Sequence, residues 1–129
     1  MSMQRVINPQ FDVRVQVRYA EKDSRPEKGQ YLFIYSVTIT NNSPVPAQLI
    51  SRHWIITDSL GNTEEVEGQG VVGLQPKIGA NQSFHYESGC PLPTPTGSMH
   101  GFYQMIAEDG DSFEIEVPEF YLISPQALH

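Results

Sequence analysis

The chain has 129 residues, a formal net charge of −7 and no run of Lys or Arg. That length suits one domain, able to bury roughly two-thirds of the surface its unfolded chain exposes. An acidic surface repels nucleic acid instead of releasing its counterions, and no stretch nears the roughly 18 apolar residues of a membrane span. Neither nucleic acid nor membrane insertion is therefore expected. Cys90, the single cysteine, has no internal disulfide partner and fits a reducing compartment. With no apolar leader at the N-terminus, the expected location is the cytoplasm. Ten prolines and ten glycines punctuate a chain rich in aromatic and β-branched residues, a mixture that favours short strands joined by turns.

Taken in order, residues 1–10 read as a short N-terminal arm that Pro9 keeps from becoming helical. From Phe11 the chain alternates, with Phe11, Val13, Val15, Val17 and Tyr19 on one side and Asp12, Arg14, Gln16 and Arg18 on the other. That is a half-buried strand. Residues 21–30 are charged and contain Pro26 and Gly29, which makes a loop. A second strand covers 31–40, its core face formed by Tyr31, Phe33, Tyr35, Val37 and Ile39. Asn41, Asn42, Ser43 and Pro44 form a turn, read from asparagine's tolerance of positive φ.

A third strand is expected over 48–57, centred on Trp54, followed by a turn at 58–62 and a short polar strand at 63–67. After a glycine-rich stretch come a strand at 82–87 and an irregular crossing at 88–98, where Pro91, Pro93 and Pro95 stand. Strands 99–107 and 112–117 meet across Asp109-Gly110, the strongest short hairpin signal. A C-terminal strand and tail, 118–129, opens with Phe120, Tyr121 and Leu122. Seven to eight short strands without helical periodicity predict a single-domain all-β fold over 1–129, an antiparallel β-sandwich.

The residues with a claim to function lie mostly between the third and sixth strands. Gly68, Gly70 and Gly73 spell GxGxxG, the spacing that cradles a pyrophosphate when a strand precedes it and a helix opens at it. Here two valines and Pro76 follow; proline within a second helical turn costs roughly 3 kcal/mol, and Glu64, Glu65 and Glu67 repel an anion. The glycines read instead as a loop or bulge whose backbone takes positive φ or packs closely on a neighbour. Val71, Val72 and Leu74 would then form a small apolar rim for a protein partner. The candidate binding residues are Gly68, Gly70, Val71, Val72 and Gly73.

Trp54 reads as a core residue whose indole N–H finds one partner, with Arg52 on its face. His53 points the other way with Ser51 and Ile55 and reads as solvated, as do Asp58, Glu64 and Glu65. His85 and Glu87 share a strand face, but no zinc-type spacing accompanies them. Asp109 and Asp111 would hold Mg²⁺ only weakly. No metal site and no cofactor are expected. Neither G-x-S-x-G nor a Cys–His pairing is present, so no catalytic residue is assigned and Cys90 reads as a packed thiol.

These readings favour a non-enzymatic protein-recognition module with an unknown protein partner. The alternative is a small-ligand sensor that takes a nucleotide, pyrophosphate or divalent cation at the 68–73 loop. An exposed sheet edge would also allow a weak homodimer.

The runs QLISRHWIITDSLGNTEEVEGQGVVGLQP (48–76), FHYESGCPL (84–92), TPTGSMHGFYQM (94–105) and FEIEVPEFYL (113–122) closely resemble the ApaG family, and YLFIYSVTITN (31–41) fits it as well. A difference lies at Gly79-Ala80-Asn81, where the family more often has a Pro-Gly turn. The resemblance implies an immunoglobulin/fibronectin type III-like sandwich. It also implies a genetic association of bacterial members with cobalt resistance and magnesium efflux. Related domains in eukaryotic F-box proteins and in a polymerase-interacting protein imply a role in protein recognition. The family's GxGxxG has itself been noted as pyrophosphate-like.

Overall fold

The period-two alternation of the N-terminal segment becomes strand β1, Phe11–Tyr19, in a computed structural model that describes residues 10–128. Seven more strands follow: β2 Tyr31–Asn41, β3 Ala47–Asp58, β4 Thr63–Gln69, β5 Lys77–Ile78, β6 Ser83–Leu92, β7 Thr96–Ala107 and β8 Ser112–Ile123. Three 3₁₀ turns, Glu21–Asp23, Pro26–Lys28 and Pro125–Leu128, are the helical segments among the described residues. Of the arm expected over 1–10, all but Gln10 lies outside the described residues.

The strands pair antiparallel throughout and form two sheets, β1-β2-β6 and β4-β3-β7-β8, with β5 added beside the start of β3. The chain changes sheet between β2 and β3, between β5 and β6, and again between β6 and β7. Such crossings between a three-stranded and a five-stranded sheet build the immunoglobulin/fibronectin type III-like sandwich. Phe33, Val37 and Ile39 from one sheet meet Leu49, Trp54, Tyr103 and Ile115 from the other in the core. Phe11 against Phe113, with ring centroids 5.3 Å apart, closes the side where β1 lies near β8.

Three local readings are corrected by the fold, and one feature is added to them. The 88–98 segment is not an irregular crossing: β6 runs through Pro91 to Leu92 and β7 starts at Thr96. An edge strand needs only alternate N–H groups for its ladder, so proline is tolerated there. Likewise the C-terminal segment 118–129 does not begin a new strand, because Pro118 lies inside β8. Met99 pairs with Phe120 and Gly101 with Val117, so Pro118 and Glu119 together face His100. That extra residue is a β-bulge, on a sheet edge where proline is harmless.

The third correction concerns Asn41, which does not adopt positive φ. It is a fully buried hydrogen-bonding hub: Nδ2 donates to the Val45 and Ile78 carbonyls at 3.0 Å each, and Oδ1 accepts from the Ser43 N–H and hydroxyl at 2.9 and 2.7 Å. Finally, β3 contains a bulge between Leu49 and Ser51. Ala47 and Leu49 point into the core before it and Trp54 after it, so the extra residue Ile50 switches the inward set from odd to even positions.

Candidate functional site

The β3 bulge places the glycine stretch. The Ile50 carbonyl accepts the Gly70 N–H at 2.8 Å and the Gln75 side-chain amide at 2.9 Å. Beyond Gly70, the Val71 N–H donates to the Leu74 carbonyl at 2.8 Å and the Leu74 N–H returns to the Val71 carbonyl at 2.9 Å. The two residues between them, Val72 and Gly73, have φ of 44° and 79°. Positive φ at both central positions is the mark of a type I′ hairpin turn.

Close approach to backbone requires glycine at position 70, whereas Gly68 leaves room for the Arg52 side chain. A Cβ on Gly68 would lie 2.8 Å from the Arg52 guanidinium, and one on Gly70 would lie 2.3 Å from the Leu74 carbonyl oxygen. Arg52 in turn donates Nη1 to the Gly70 and Gln69 carbonyls at 2.9 and 3.2 Å, so it acts as a strap across the end of β4.

The apolar rim expected here is divided by burial. Val71 is 1% exposed and belongs to the core, whereas Val72 and Leu74 are 54% and 53% exposed. A tight turn forces this split, since its base faces the sheet and its tip faces away. No α-helix follows the glycines among the described residues, and the N–H groups of Gly70, Val71 and Leu74 are engaged by backbone carbonyls.

Between the edges of β4 and β6 opens a cleft of about 210 Å³, lined in part by Tyr35, Arg52, Trp54, Glu64, Ser88 and Cys90. Trp54 is 2% exposed and packs edge-on against Tyr35, Tyr103 and Phe120. Its indole N–H, expected to find a partner, has none in the protein. Burial, with Glu64 nearby, pushes the Cys90 thiol up to about 11, and burial raises the Tyr35 phenol as well. A thiol held protonated in this way is a poor nucleophile.

On the outer face of the larger sheet, His53 departs from its solvated reading. Its side chain is 17% exposed and stacks on Phe102, with centroids 4.9 Å apart and planes at 17°. Nδ1 lies 2.7 Å from Glu67 Oε1, and Nε2 lies 3.5 Å from Glu65 Oε2. Strand register explains the meeting: Glu67 and Phe102 flank His53 directly, and Glu65 stands two pairs further along on the same face, opposite Ile55.

That register is held by Asp58, which is no idle surface carboxylate. Its Oδ1 accepts the N–H groups of Leu60 and Asn62 at 2.9 and 3.0 Å and closes the β3–β4 hairpin. His85 and Glu87, the pair visible along one strand, are each engaged across the sheet, with Thr38 and Ser36 respectively. Among the described residues, the His/Cys/Asp/Glu cluster of metal-ligating size is His53, Glu65 and Glu67. Spacing within either strand does not show it. Counting back from the turn to its closing pair, Thr57 and Thr63, would have paired 53 with 67.

The fold is thus an antiparallel β-sandwich of the immunoglobulin/fibronectin type III-like class, with an apolar turn tip beside an acidic edge strand. The model of the ApaG domain matches residues 21–107, and this chain belongs to the ApaG family. It is 57% identical to the protein ApaG of Bdellovibrio bacteriovorus over 127 residues, 98% of this chain and 100% of that protein. With the Azotobacter vinelandii protein ApaG the identity is 52%, covering 93% and 95% of the two chains. A crystal structure of an ApaA protein from Bordetella pertussis superposes with a TM-score of 0.88 at 48% identity, covering 94% of this chain and 98% of that one.

Proposed function

We propose that this chain is a non-enzymatic protein-recognition module whose contact surface is the tip of the glycine turn. The observation that carries the reading is the exposure of Val72 and Leu74 on a turn strapped from below by Arg52, Ile50 and Gln75. A β-branched residue in left-handed backbone is strained, and such strain concentrates where a surface is used. The tip is small, so it serves as an anchor for a pocket and not as a whole interface.

Glu64, Glu65 and Glu67 stand exposed along the neighbouring edge strand. The complementary partner surface is therefore an apolar pocket rimmed by Lys or Arg. The association of bacterial relatives with cobalt resistance and magnesium efflux would then act through that partner. A pyrophosphate at the same glycines would find the Gly70, Val71 and Leu74 amides already engaged by backbone carbonyls and three glutamates nearby.

The test places a photo-crosslinking residue at position 74, identifies what it captures, and measures binding with both proteins purified. Changing Val72 and Leu74 together to Asp should weaken that binding at least tenfold, while Leu60→Asp, an equally apolar and exposed position at another turn, should leave it intact. Equal affinities for the two variants would reject the turn tip as the contact.

A further inference from the structure

The contacts of His53 leave one acceptor facing another. A neutral imidazole carries a single N–H. The short contact, 2.7 Å from Nδ1 to Glu67 Oε1, places that proton on Nδ1. Nε2 then presents its lone pair to Glu65 Oε2 at 3.5 Å. A lone pair and a carboxylate oxygen do not attract each other, so a cation between them is what makes the arrangement favourable. That cation is either a second proton on the ring or a metal ion.

Two features favour a metal. A ligating histidine characteristically donates its other ring N–H to a carboxylate, which fixes the tautomer and raises the basicity of the free nitrogen; Glu67 does this here. The Phe102 ring also lies flat against the imidazole at 4.9 Å, limiting rotation of the ring away from Glu65. His53 Nε2 and Glu65 Oε2, 3.5 Å apart, are near enough for small side-chain adjustments to bring both onto one ion, with Glu67 in the same cluster. Imidazole nitrogen with carboxylate oxygen suits divalent first-row transition ions better than Mg²⁺ or Ca²⁺.

We infer that His53, Glu65 and Glu67 form a surface site for a divalent first-row transition metal. His53 Nε2 and Glu65 act as ligands, Glu67 orients the imidazole through Nδ1, and water completes the shell. The site lies on the sheet face, away from the turn tip, but shares Glu65 and Glu67 with the acidic strand beside the proposed contact, so Zn²⁺ binding is read on the free chain with no partner present.

The experiment titrates the full chain, labelled with ¹⁵N, with Zn²⁺, and with Mg²⁺ as a control. It follows the histidine ring nitrogens by NMR above the pH at which free imidazole titrates. A saturable shift of His53 Nε2 at one Zn²⁺ per chain, absent with Mg²⁺, is expected. Glu65→Gln should weaken Zn²⁺ at least tenfold, whereas His85→Gln should leave it unchanged. The inference fails if both His53 nitrogens stay protonated and unmoved by Zn²⁺, since a proton alone then bridges the pair. It fails equally if Zn²⁺ binds His53→Gln as tightly as the parent. The ring-nitrogen readout is made on the unaltered chain, so the result stands even where a variant folds poorly.

Discussion

Val72 is the residue at which local preference and fold disagree most. Its φ of 44° suits glycine or asparagine, and a β-branched side chain there stores strain of order 1–3 kcal/mol. Glycine would release it but would lose roughly 0.5–1 kcal/mol to its freer unfolded chain. Val72→Gly should therefore stabilise the domain by about 1 kcal/mol, read as a higher urea midpoint; a lower midpoint would show that the valine is unstrained. Gly70→Ala goes the other way. Its new Cβ would collide with the Leu74 carbonyl, and a loss of roughly 1–3 kcal/mol is expected from the same measurement. Val71 is separated from Val72 by burial, and a charge placed there would have to enter the core.

Among the elements, the connection from β2 to β3 depends on Asn41. Removing its side chain leaves the Ser43 N–H and the Ile78 carbonyl without their partner in the interior. At about 1–3 kcal/mol for each buried group left unpaired, Asn41→Ala should destabilise the domain by roughly 2–4 kcal/mol. A loss below 1 kcal/mol in urea unfolding would mean that water reaches the crossover. Legibility varied from element to element for physical reasons. Alternation marked β1 and β2 well, because each has one buried face. It broke down in β3, where the Ile50 bulge shifts the inward set by one, and at Pro91 and Pro118. A proline breaks a central strand but not an edge strand, and edge position is a property of the whole sheet.

For the molecule as a whole, four groups in the interior resist ionisation. Burial raises Tyr103 and Tyr86, which hydrogen-bond to each other, and raises Tyr35 and Cys90. Each ionises more readily in the unfolded chain, so raising the pH draws protons from the unfolded state first. The stability these neutral groups contribute is whole below their ordinary values of 9.0 and 10.0 and is lost progressively above them. The melting temperature should hold up to about pH 9 and fall steeply beyond it. Tyr86→Phe together with Tyr103→Phe should soften that fall, and an unchanged alkaline limb in this variant would place the sensitive groups elsewhere.

The sequence by itself determined the class of fold, the hairpin at Asp109-Gly110 and the absence of a helix at the glycines. Period-two alternation, turn chemistry and proline act over a few residues and need no knowledge of what packs where. Its match to the ApaG family was legible too, in runs such as EVEGQGVVGLQP. Tertiary structure alone decided that Val71 is core while Val72 and Leu74 are surface, that Arg52 straps the glycine turn, and that His53 meets two glutamates. Those outcomes depend on cross-strand register and on a bulge. Register brings residues more than ten positions apart into contact. It can be counted back from a tight turn, as from Thr57 and Thr63, but between strands joined by longer connections no local pattern encodes it.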